Sequence, residues 1–599
     1  MRIKTILAFV GFAIACLFSQ SQTIIPGGYV SGVWEAANSP YIIQGEITVH
    51  RDSALTVEEG TVISFYDSAY LKVEGYLKAV GTATDSIIFR SAQNSWLGIR
   101  FQQTDTAYND NLLFYYCVFR DAIGSPTHPD GGAVSIHNRD DISIFFSSFI
   151  KNTAMHNGGG MYLENADIQI KNLEFIGNTT SFSPETYKGG ALYIIDSQMI
   201  LENIFFEGNE SVIAGAIYSD NTSLEIRNSS FVRNTSQGGG GALVCHNSGI
   251  YGIRNCLFER NSAGGSGGAI AILERINAHI TDCIFIDNSA SSEQYIAAGG
   301  GVFITINNNE ANFTNCKFSS NLSSHYGGAV HAASYTNYVN CLFTNNEAGS
   351  GPDHGGGAVF SYGSINNLMN CTFSGNRGAE GSTIMGLDAE IGLINSIIWD
   401  DTISSVSKIF LSSYDDPTSI HVTTSDIEGG KGAIRGFGDY HIDWSSGNIE
   451  EPPLFEIPGI DFSLSNESPC IDTGRLDTLQ LLIPATDLAG NPRLYRGEID
   501  MGCYENQTAF SVPEFQIDQE IIIYPNPARE YFYIRNDSKE IFKGKLILAD
   551  RTGRHVSEES VNIDRHGISR QTVSSLSAGL YYLILASDKK IITKKLIIQ

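Results

Sequence analysis

The side chains able to do chemistry are scattered along this sequence. Carboxylates gather at Asp130, Asp140, Asp141, Asp353, Asp400, Asp401, Asp415 and Asp416, and His156, His325 and His354 each stand shortly before a glycine pair. A Ca²⁺-dependent polysaccharide lyase needs carboxylates that hold the metal and an Arg or Lys base on the same face, while a hydrolase needs two carboxylates about one bond. None of these acids recurs with a basic partner at a fixed position, and the three histidines lie at unequal offsets from their glycines. No His-Glu-x-x-His or phosphate-loop motif occurs. The expectation is therefore solvated turns, no catalytic residue, no assigned metal ligand, and Ca²⁺ as the one cofactor worth considering.

The elements that must position any site are set by a repeat. Phe-x-x-Asn recurs at Phe149/Asn152, Phe175/Asn178, Phe206/Asn209, Phe231/Asn234, Phe258/Asn261, Phe285/Asn288, Phe318/Asn321, Phe343/Asn346 and Phe373/Asn376. A glycine pair followed by a small and an apolar residue recurs at Gly131, Gly159, Gly189, Gly240, Gly267, Gly300, Gly327 and Gly356, with Ala214-Gly215 as a degenerate copy. A period of this length, sustained, marks a solenoid whose coils bury their apolar faces against one another. Short alternating apolar runs bounded by Gly, Asn and Ser point to strands, as in Ala242-Leu243-Val244 and the run from Ile253 through Arg254, Asn255, Cys256 and Leu257 to Phe258. The predicted fold is all-β: a right-handed parallel β-helix with an internal phenylalanine stack and an asparagine ladder at one turn. Cys117, Cys256, Cys283, Cys316, Cys341 and Cys371 each precede a phenylalanine by two residues and form one predicted column of buried packing thiols.

Irregularity in the repeat lies between the phenylalanine and the next glycine pair, with long segments at 179–188, 289–298 and 347–355. Insertions in a solenoid collect on one face, often the binding face. These segments carry Phe182, Tyr187, Tyr295, Asp353 and His354, side chains suited to stacking on sugar rings and hydrogen-bonding their hydroxyls. They are the candidate ligand-binding residues.

The paired motifs resemble the repeats of the chlamydial polymorphic membrane proteins, β-helical surface adhesins and autotransporter passengers, and so imply surface display more than a particular ligand. Residues 1–21, with Arg2 and Lys4 before an apolar run from Ile6 to Phe18, read as a secretory signal peptide, and no other apolar run approaches a membrane span. Residues 22–111 read as an N-terminal cap and first coils, 112–400 as the repeated β-helix, and 401–512 as closing coils. The end of that last region, from Ser468-Pro469-Cys470-Ile471-Asp472 through Asn491-Pro492-Arg493 to Asp500-Met501-Gly502-Cys503-Tyr504-Glu505, is similar to the choice-of-anchor segment that ends many bacterial β-helix proteins. Cys470 and Cys503 both depart from that pattern, which suggests a disulfide between them.

A composition shift marks another boundary. The chain of 599 residues carries a formal charge of −27, yet from Phe515 onward there are 13 Lys and Arg against 10 Asp and Glu, leaving 25 against 55 before it. The acidity argues against nucleic acid as a partner. Residues 515–599, with Pro525-Asn526-Pro527, Gly553, Gly579 and Tyr581 as motif positions, resemble the C-terminal sorting domain of the type IX secretion system of Bacteroidetes. That resemblance implies a small Ig-like β-sandwich, recognition by the outer-membrane translocon, removal by a sortase-like cysteine peptidase, and transfer of the passenger to a lipopolysaccharide anchor. Six Asp-Ser/Thr-apolar triplets, among them Asp52-Ser53-Ala54 and Asp67-Ser68-Ala69, are similar to the O-glycosylation sequence of proteins exported this way. The expected function is a secreted or cell-surface adhesin or glycan-binding passenger, with a Ca²⁺-dependent polysaccharide lyase or a glycoside hydrolase as the alternative.

Overall fold

Three short strands separated by tight corners make each coil, because every few residues the backbone enters a left-handed conformation that a strand cannot contain. The run from Ile253 to Phe258 shows it: Asn255 has φ 52° and divides what the sequence suggested was one strand into Gly249–Arg254 and Leu257–Glu259, which belong to different sheets. A computed structural model describes residues 22–101, 112–181, 187–292, 296–400, 406–476, 483–507, 521–550, 555–573, 576–587 and 591–599. The chain divides into two units, Met1–Asn506 and Gln507–Gln599. The expected signal peptide lies outside the described residues.

The first unit is a parallel β-helix. Its first, second and third sheets each hold 16 strands, from Thr23–Ile25 to Asp426–Ile427, from Gly28–Tyr29 to Ile434–Phe437, and from Gly32–Trp34 to Tyr440–Trp444. Coiling therefore begins at Thr23. Strands pair in parallel and in register, so like stacks on like: Phe231 faces Phe258, and Phe258 faces Phe285. The phenylalanine stack runs from Phe89 to Phe373 with ring centroids 4.7 to 5.1 Å apart, two coils longer at its start than the motif predicts. Phe89 and Phe119 escape the motif because no asparagine follows them at the right offset.

Behind the stack runs the asparagine ladder. Each Nδ2 donates to the Oδ1 of the next coil's asparagine and to the carbonyl of a phenylalanine one coil back; Asn261 does so to Asn288 at 3.0 Å and to Phe231 at 2.9 Å. Its Oδ1 accepts the backbone and side-chain N–H groups of Asn234, both at 3.0 Å. A buried amide with every polar atom paired stabilises the fold, where the same amide unpaired would cost several kcal/mol. The two residues after each ladder asparagine form a fourth, short sheet of seven strands from Thr153–Ala154 to Leu322–Ser323. The irregular segments 179–188 and 289–298 thus begin as strand, at Thr179–Thr180 and Ser289–Ala290, before they become loop.

Glycine pairs return the chain to the second sheet. In the pair Gly240-Gly241 the first residue has φ 66°, and a Cβ on the second would lie 2.0 Å from the carbonyl oxygen of Gly268 in the next coil. This geometry corrects the sequence assignment in two coils. Where three glycines follow one another, the left-handed residue is Gly158 or Gly299, so the structural pairs are 158–159 and 299–300, and the third glycine takes the place of alanine.

The cysteine column is made of free, buried thiols. Cys256 Sγ donates to the carbonyl of Arg254 at 3.2 Å, and in other coils serine fills the place, as when Ser229 Oγ donates to Arg227 O at 2.8 Å. The thiol is therefore a hydrogen-bonding apolar side chain, and burial pushes Cys256, Cys283, Cys316 and Cys341 well above the ordinary thiol range.

Within the expected closing region 401–512, much of the segment after residue 447 folds back over the outer face of the first sheet. One outward register column, Lys317, Leu342, Thr372, Ile397 and Asp426, runs beneath it. Leu342 and Ile397 share an apolar cluster with Phe455, Phe462, Leu464, Cys470, Met501 and Cys503. Thr372 Oγ1 accepts the Cys503 amide at 3.0 Å, and Asp426 Oδ2 accepts the Cys470 thiol at 3.3 Å. The expected Cys470–Cys503 disulfide is not formed: both are free, buried thiols that meet different residues of that column.

The second unit has two antiparallel sheets around one core. Ile521–Tyr524, Tyr531–Asn536 and Gly567–Thr572 make the smaller; Phe542–Asp550, His555–Ile563, Gly579–Ala586 and Ile591–Ile598 make the larger. Phe532, Ile534, Leu548, Leu583 and Leu596 pack between them, as in a small β-sandwich. No helix among the described residues is long and apolar enough to cross a membrane.

Candidate functional site

The outward face of the second sheet carries the most distinctive set of side chains. Three positions after the second glycine of each pair, the strand presents one column: Tyr162, Tyr193, Tyr218, Val244, Ala271, Phe303, His331 and Phe360. The tyrosines stack at 5.2 and 5.4 Å with planes within 2°. In-register parallel pairing makes this inevitable once an aromatic residue recurs at one place in the repeat.

Described residues just before the glycine pairs meet this column or its margin, and two clusters form. At the N-terminal one, Tyr187 stacks on His156 at 4.9 Å, while Lys188 lies 4.3 Å above the Tyr218 ring and donates to its hydroxyl at 3.0 Å. Burial draws the Lys188 ammonium below its usual range, partly offset by Asp220. Burial likewise pushes the Tyr162, Tyr193 and Tyr218 phenols upward, so all three remain neutral donors. At the C-terminal cluster, His354 lies 4.6 Å from His325 and 5.5 Å from Tyr326, and Tyr326 stacks on Phe360 at 4.6 Å. Burial lowers His331 to about 4 and also lowers His325, next to the His354 ring. Neutral rings of this kind offer π faces and hydrogen bonds, not charge.

Of the five predicted ligand-binding residues, Tyr187 and His354 sit at these clusters, Asp353 is exposed beside His354 with φ 67°, and Phe182 and Tyr295 lie outside the described residues. Tyr187 and His354 do not meet. Five strands of the second sheet stand between their coils, so they are roughly 29 Å apart at about 4.8 Å per strand. The column that joins them was overlooked in the sequence, although Gly-small-apolar-aromatic recurs at Tyr193, Tyr218, His331 and Phe360.

In three of the grouped acids the carboxylate has a partner within the fold. Asp141 pairs with Arg139 and Asp400 with buried Lys408, both at 2.5 Å, and Asp130 Oδ1 accepts the backbone and side-chain N–H groups of Asn157 at 3.0 Å. Asp415 and Asp416 give their backbone N–H groups to Asp388 Oδ1. Asp401 lies outside the described residues.

In the second unit the Pro525-Asn526-Pro527 motif edges the last strand. With no N–H on either proline, Asn526 supplies both halves of the pairing: Nδ2 donates to Lys595 O and Oδ1 accepts the Ile597 amide, each at 2.8 Å. Tyr581 OH donates to Ser577 O at 2.9 Å, closing the turn that contains Gly579; Gly553 lies outside the described residues.

The chain thus carries a parallel β-helix followed by a small antiparallel β unit. Residues 522–599 match the secretion system C-terminal sorting domain, and residues 255–272 match the Chlamydia polymorphic membrane protein repeat. The chain is cargo of the type IX secretion system, delivered to the cell surface or the extracellular space. A segment of 79 residues is 37% identical to Protein bark beetle of Drosophila melanogaster; it covers 13% of this chain and about 2% of that protein's length.

Proposed function

We propose that the passenger is a non-enzymatic adhesin that binds glycans along the loop-covered outer face of the second sheet. The observation that carries this reading is the clustering of partly exposed rings, Tyr187 with His156 and His325 with Tyr326 and His354, at the edge of one aromatic column. Stacking on a ring contributes about 0.5 to 1.5 kcal/mol beyond area burial, and several such rings along an extended polymer act together. The pairing of Asp130, Asp141 and Asp400 within the fold favours binding over lyase or hydrolase chemistry. Testing the secreted protein on immobilised polysaccharides, with Tyr187→Ala, Tyr326→Ala and His354→Ala, should show each change weakening binding several-fold with the melting temperature nearly unchanged. Undiminished binding moves the site to another face. Depolymerisation of a uronate polysaccharide in the presence of Ca²⁺ would establish the lyase alternative instead.

Export completes the reading. The sorting unit engages the translocon, and a sortase-like peptidase then removes it and joins the passenger to lipopolysaccharide. Mass spectrometry of the surface form should find a C-terminus before Ile521; a surface species retaining residues 522–599 would refute removal.

A further inference from the structure

We propose that the side chains of Lys408 and Asp400 condense to an intramolecular isopeptide bond, with Glu428 as the proton carrier. The three meet at one corner in the last coils of the β-helix. Asp400 follows the strand Ile397–Ile398 of the first sheet, Lys408 precedes Ile409–Ser412 of the second, and Glu428 follows Asp426–Ile427 one coil on. Lys408 Nζ lies 2.5 Å from Asp400 Oδ2 and 2.6 Å from Glu428 Oε2, and the Lys408 and Asp400 side chains are only 7% and 8% exposed. Two carboxylates on one enclosed ammonium are a costly way to hold a turn, because the desolvation of buried charges can exceed what their attraction returns.

The hold on Asp400 separates this cluster from an ordinary ion pair. Its Oδ1 accepts the Gly375 backbone N–H at 2.5 Å, while Oδ2 faces the lysine. When an amine attacks a carboxyl carbon, one oxygen gathers negative charge and the other departs; here the first already has a fixed backbone donor, as transition-state stabilisation requires. Glu428 Oε2 touches Nζ and also accepts the Asp400 amide at 3.2 Å, so it is fixed beside both reacting groups. Burial opposes the Lys408 charge, but the hydrogen bonds to Asp400 and Glu428 outweigh it and hold the ammonium above its ordinary range. The reaction therefore starts from the ion pair.

Each step balances. The ammonium first passes a proton to the Asp400 Oδ2 it touches, which gives a neutral amine and a neutral acid. Nζ then attacks Cγ, Oδ1 takes the electron pair under the Gly375 N–H, and Glu428 removes a proton from the nitrogen. Return of that electron pair expels Oδ2, which takes the proton from Glu428 and leaves as water. One amide and one water replace an ammonium and a carboxylate, and Glu428 ends as it began. Holding the two groups in contact supplies an effective concentration on the order of 10⁵ to 10⁸ M, which offsets the cost of condensing an acid with an amine. Glu428 is 24% exposed and gives the water a way out.

The place in the fold gives the bond a use. Phe373 pairs with Ile398, so Asp400 stands one coil beyond Gly375, whereas the asparagine ladder ends at Asn376. The cross-link closes the corner of the coil that follows the ladder's last asparagine, where a solenoid would otherwise begin to fray. This proposal stands independently of glycan binding.

The test is made on the purified, folded full-length chain, then unfolded and digested with trypsin. Acylated Lys408 resists cleavage, so a single peptide from residue 378 to Lys431 is expected, lighter than its sequence by one water, with fragmentation joining Lys408 to Asp400. Glu428→Gln keeps the shape of the side chain but cannot carry the proton, and should restore cleavage after Lys408 and the full mass. Lys408→Arg keeps the positive charge without the reactive amine, and should melt several degrees below the wild type. Cleavage after Lys408 with full peptide mass in the wild type would overturn the bond, and a cross-link that survives Glu428→Gln would overturn the part given to Glu428.

Discussion

Two columns of asparagine run the length of the repeats and use the same side chain differently. At the corner after each phenylalanine, Asn152 through Asn376 are buried, and their amides bond along the ladder. At the corner before the cysteine position, Asn172, Asn203, Asn228, Asn255 and Asn315 reach the surface, while Asn340, Asn370 and Asn395 are buried beneath the closing segment; all are left-handed, with φ between 48 and 60°. Here the amide also reaches its neighbour, Asn255 Nδ2 donating to Asn228 Oδ1 at 2.7 Å, but in water that bond contributes little.

The difference appears in what each corner tolerates. The inner corner also needs a left-handed residue, just before the ladder asparagine, and that place is filled by Lys151, Gly177, Gly208, Arg233, Arg260, Asp287, Ser320, Asn345 and Gly375. Side-chain identity drifts freely because the ladder already holds the chain. The outer corner has no buried ladder, and after Tyr116 and Phe146 in the early coils Asn or Asp, which bear the left-handed conformation best, recurs there from Asn172 to Asn395.

The sharpest way to break this comparison is Asn261→Ala. It removes the acceptor of the backbone and side-chain N–H groups of Asn234 and the donor to the carbonyl of Phe231, and leaves Asn288 Oδ1 only the Asn261 backbone N–H. At about 1 to 3 kcal/mol for each unsatisfied buried group, partly recovered by relaxation, the loss should be about 4 kcal/mol, seen as a lower urea midpoint and faster amide exchange in the coils on either side. Asn255→Ala, at the outer corner, should cost only about 1 to 2 kcal/mol, mainly from placing a Cβ-bearing residue without a local hydrogen bond at positive φ. Equal losses at the two sites would end the distinction.

Smaller changes refine it. Lys151→Gly removes a left-handed residue that the ladder merely tolerates, and should raise stability by about 1 kcal/mol. Ala214 occupies the first position of a degenerate glycine pair with φ 60°, so Ala214→Gly relieves strain but gives up a buried methyl; a net gain below about 1 kcal/mol is expected in thermal unfolding.

Much of this architecture was legible because the register of a parallel β-helix copies one residue type onto itself in every coil. Phe-x-x-Asn and the glycine pair announce their places by sterics that few other residues satisfy. What escaped has equally physical causes. A left-handed asparagine inside an apolar run looks like any polar residue, so Asn255 did not reveal the corner. Two-residue strands such as Thr179–Thr180 are too short to show a period. The fold-back of the closing segment rests on pairings of residues far apart in the chain, such as Cys503 with Thr372, which no local pattern encodes. The candidate site was half legible: the loops were found from their irregular length, but the aromatic column beneath them follows from register.

The ladder also has a head and a tail. Every Nδ2 from Asn152 to Asn346 points to the next coil toward the C-terminus; at one end the Ala122 amide meets Asn152 Oδ1, and at the other Asn376 donates to Ser374 of its own coil. Amide dipoles aligned this way add, as peptide dipoles do along a helix, and each bond strengthens its neighbours by about 10 to 30%. A coil inserted in the middle therefore joins the wire without making a new end, because both of its faces meet the partners they expect. Tandem duplication of whole coils is the change this corner accepts most readily, and length is the property in which descendants of such a chain are freest to differ.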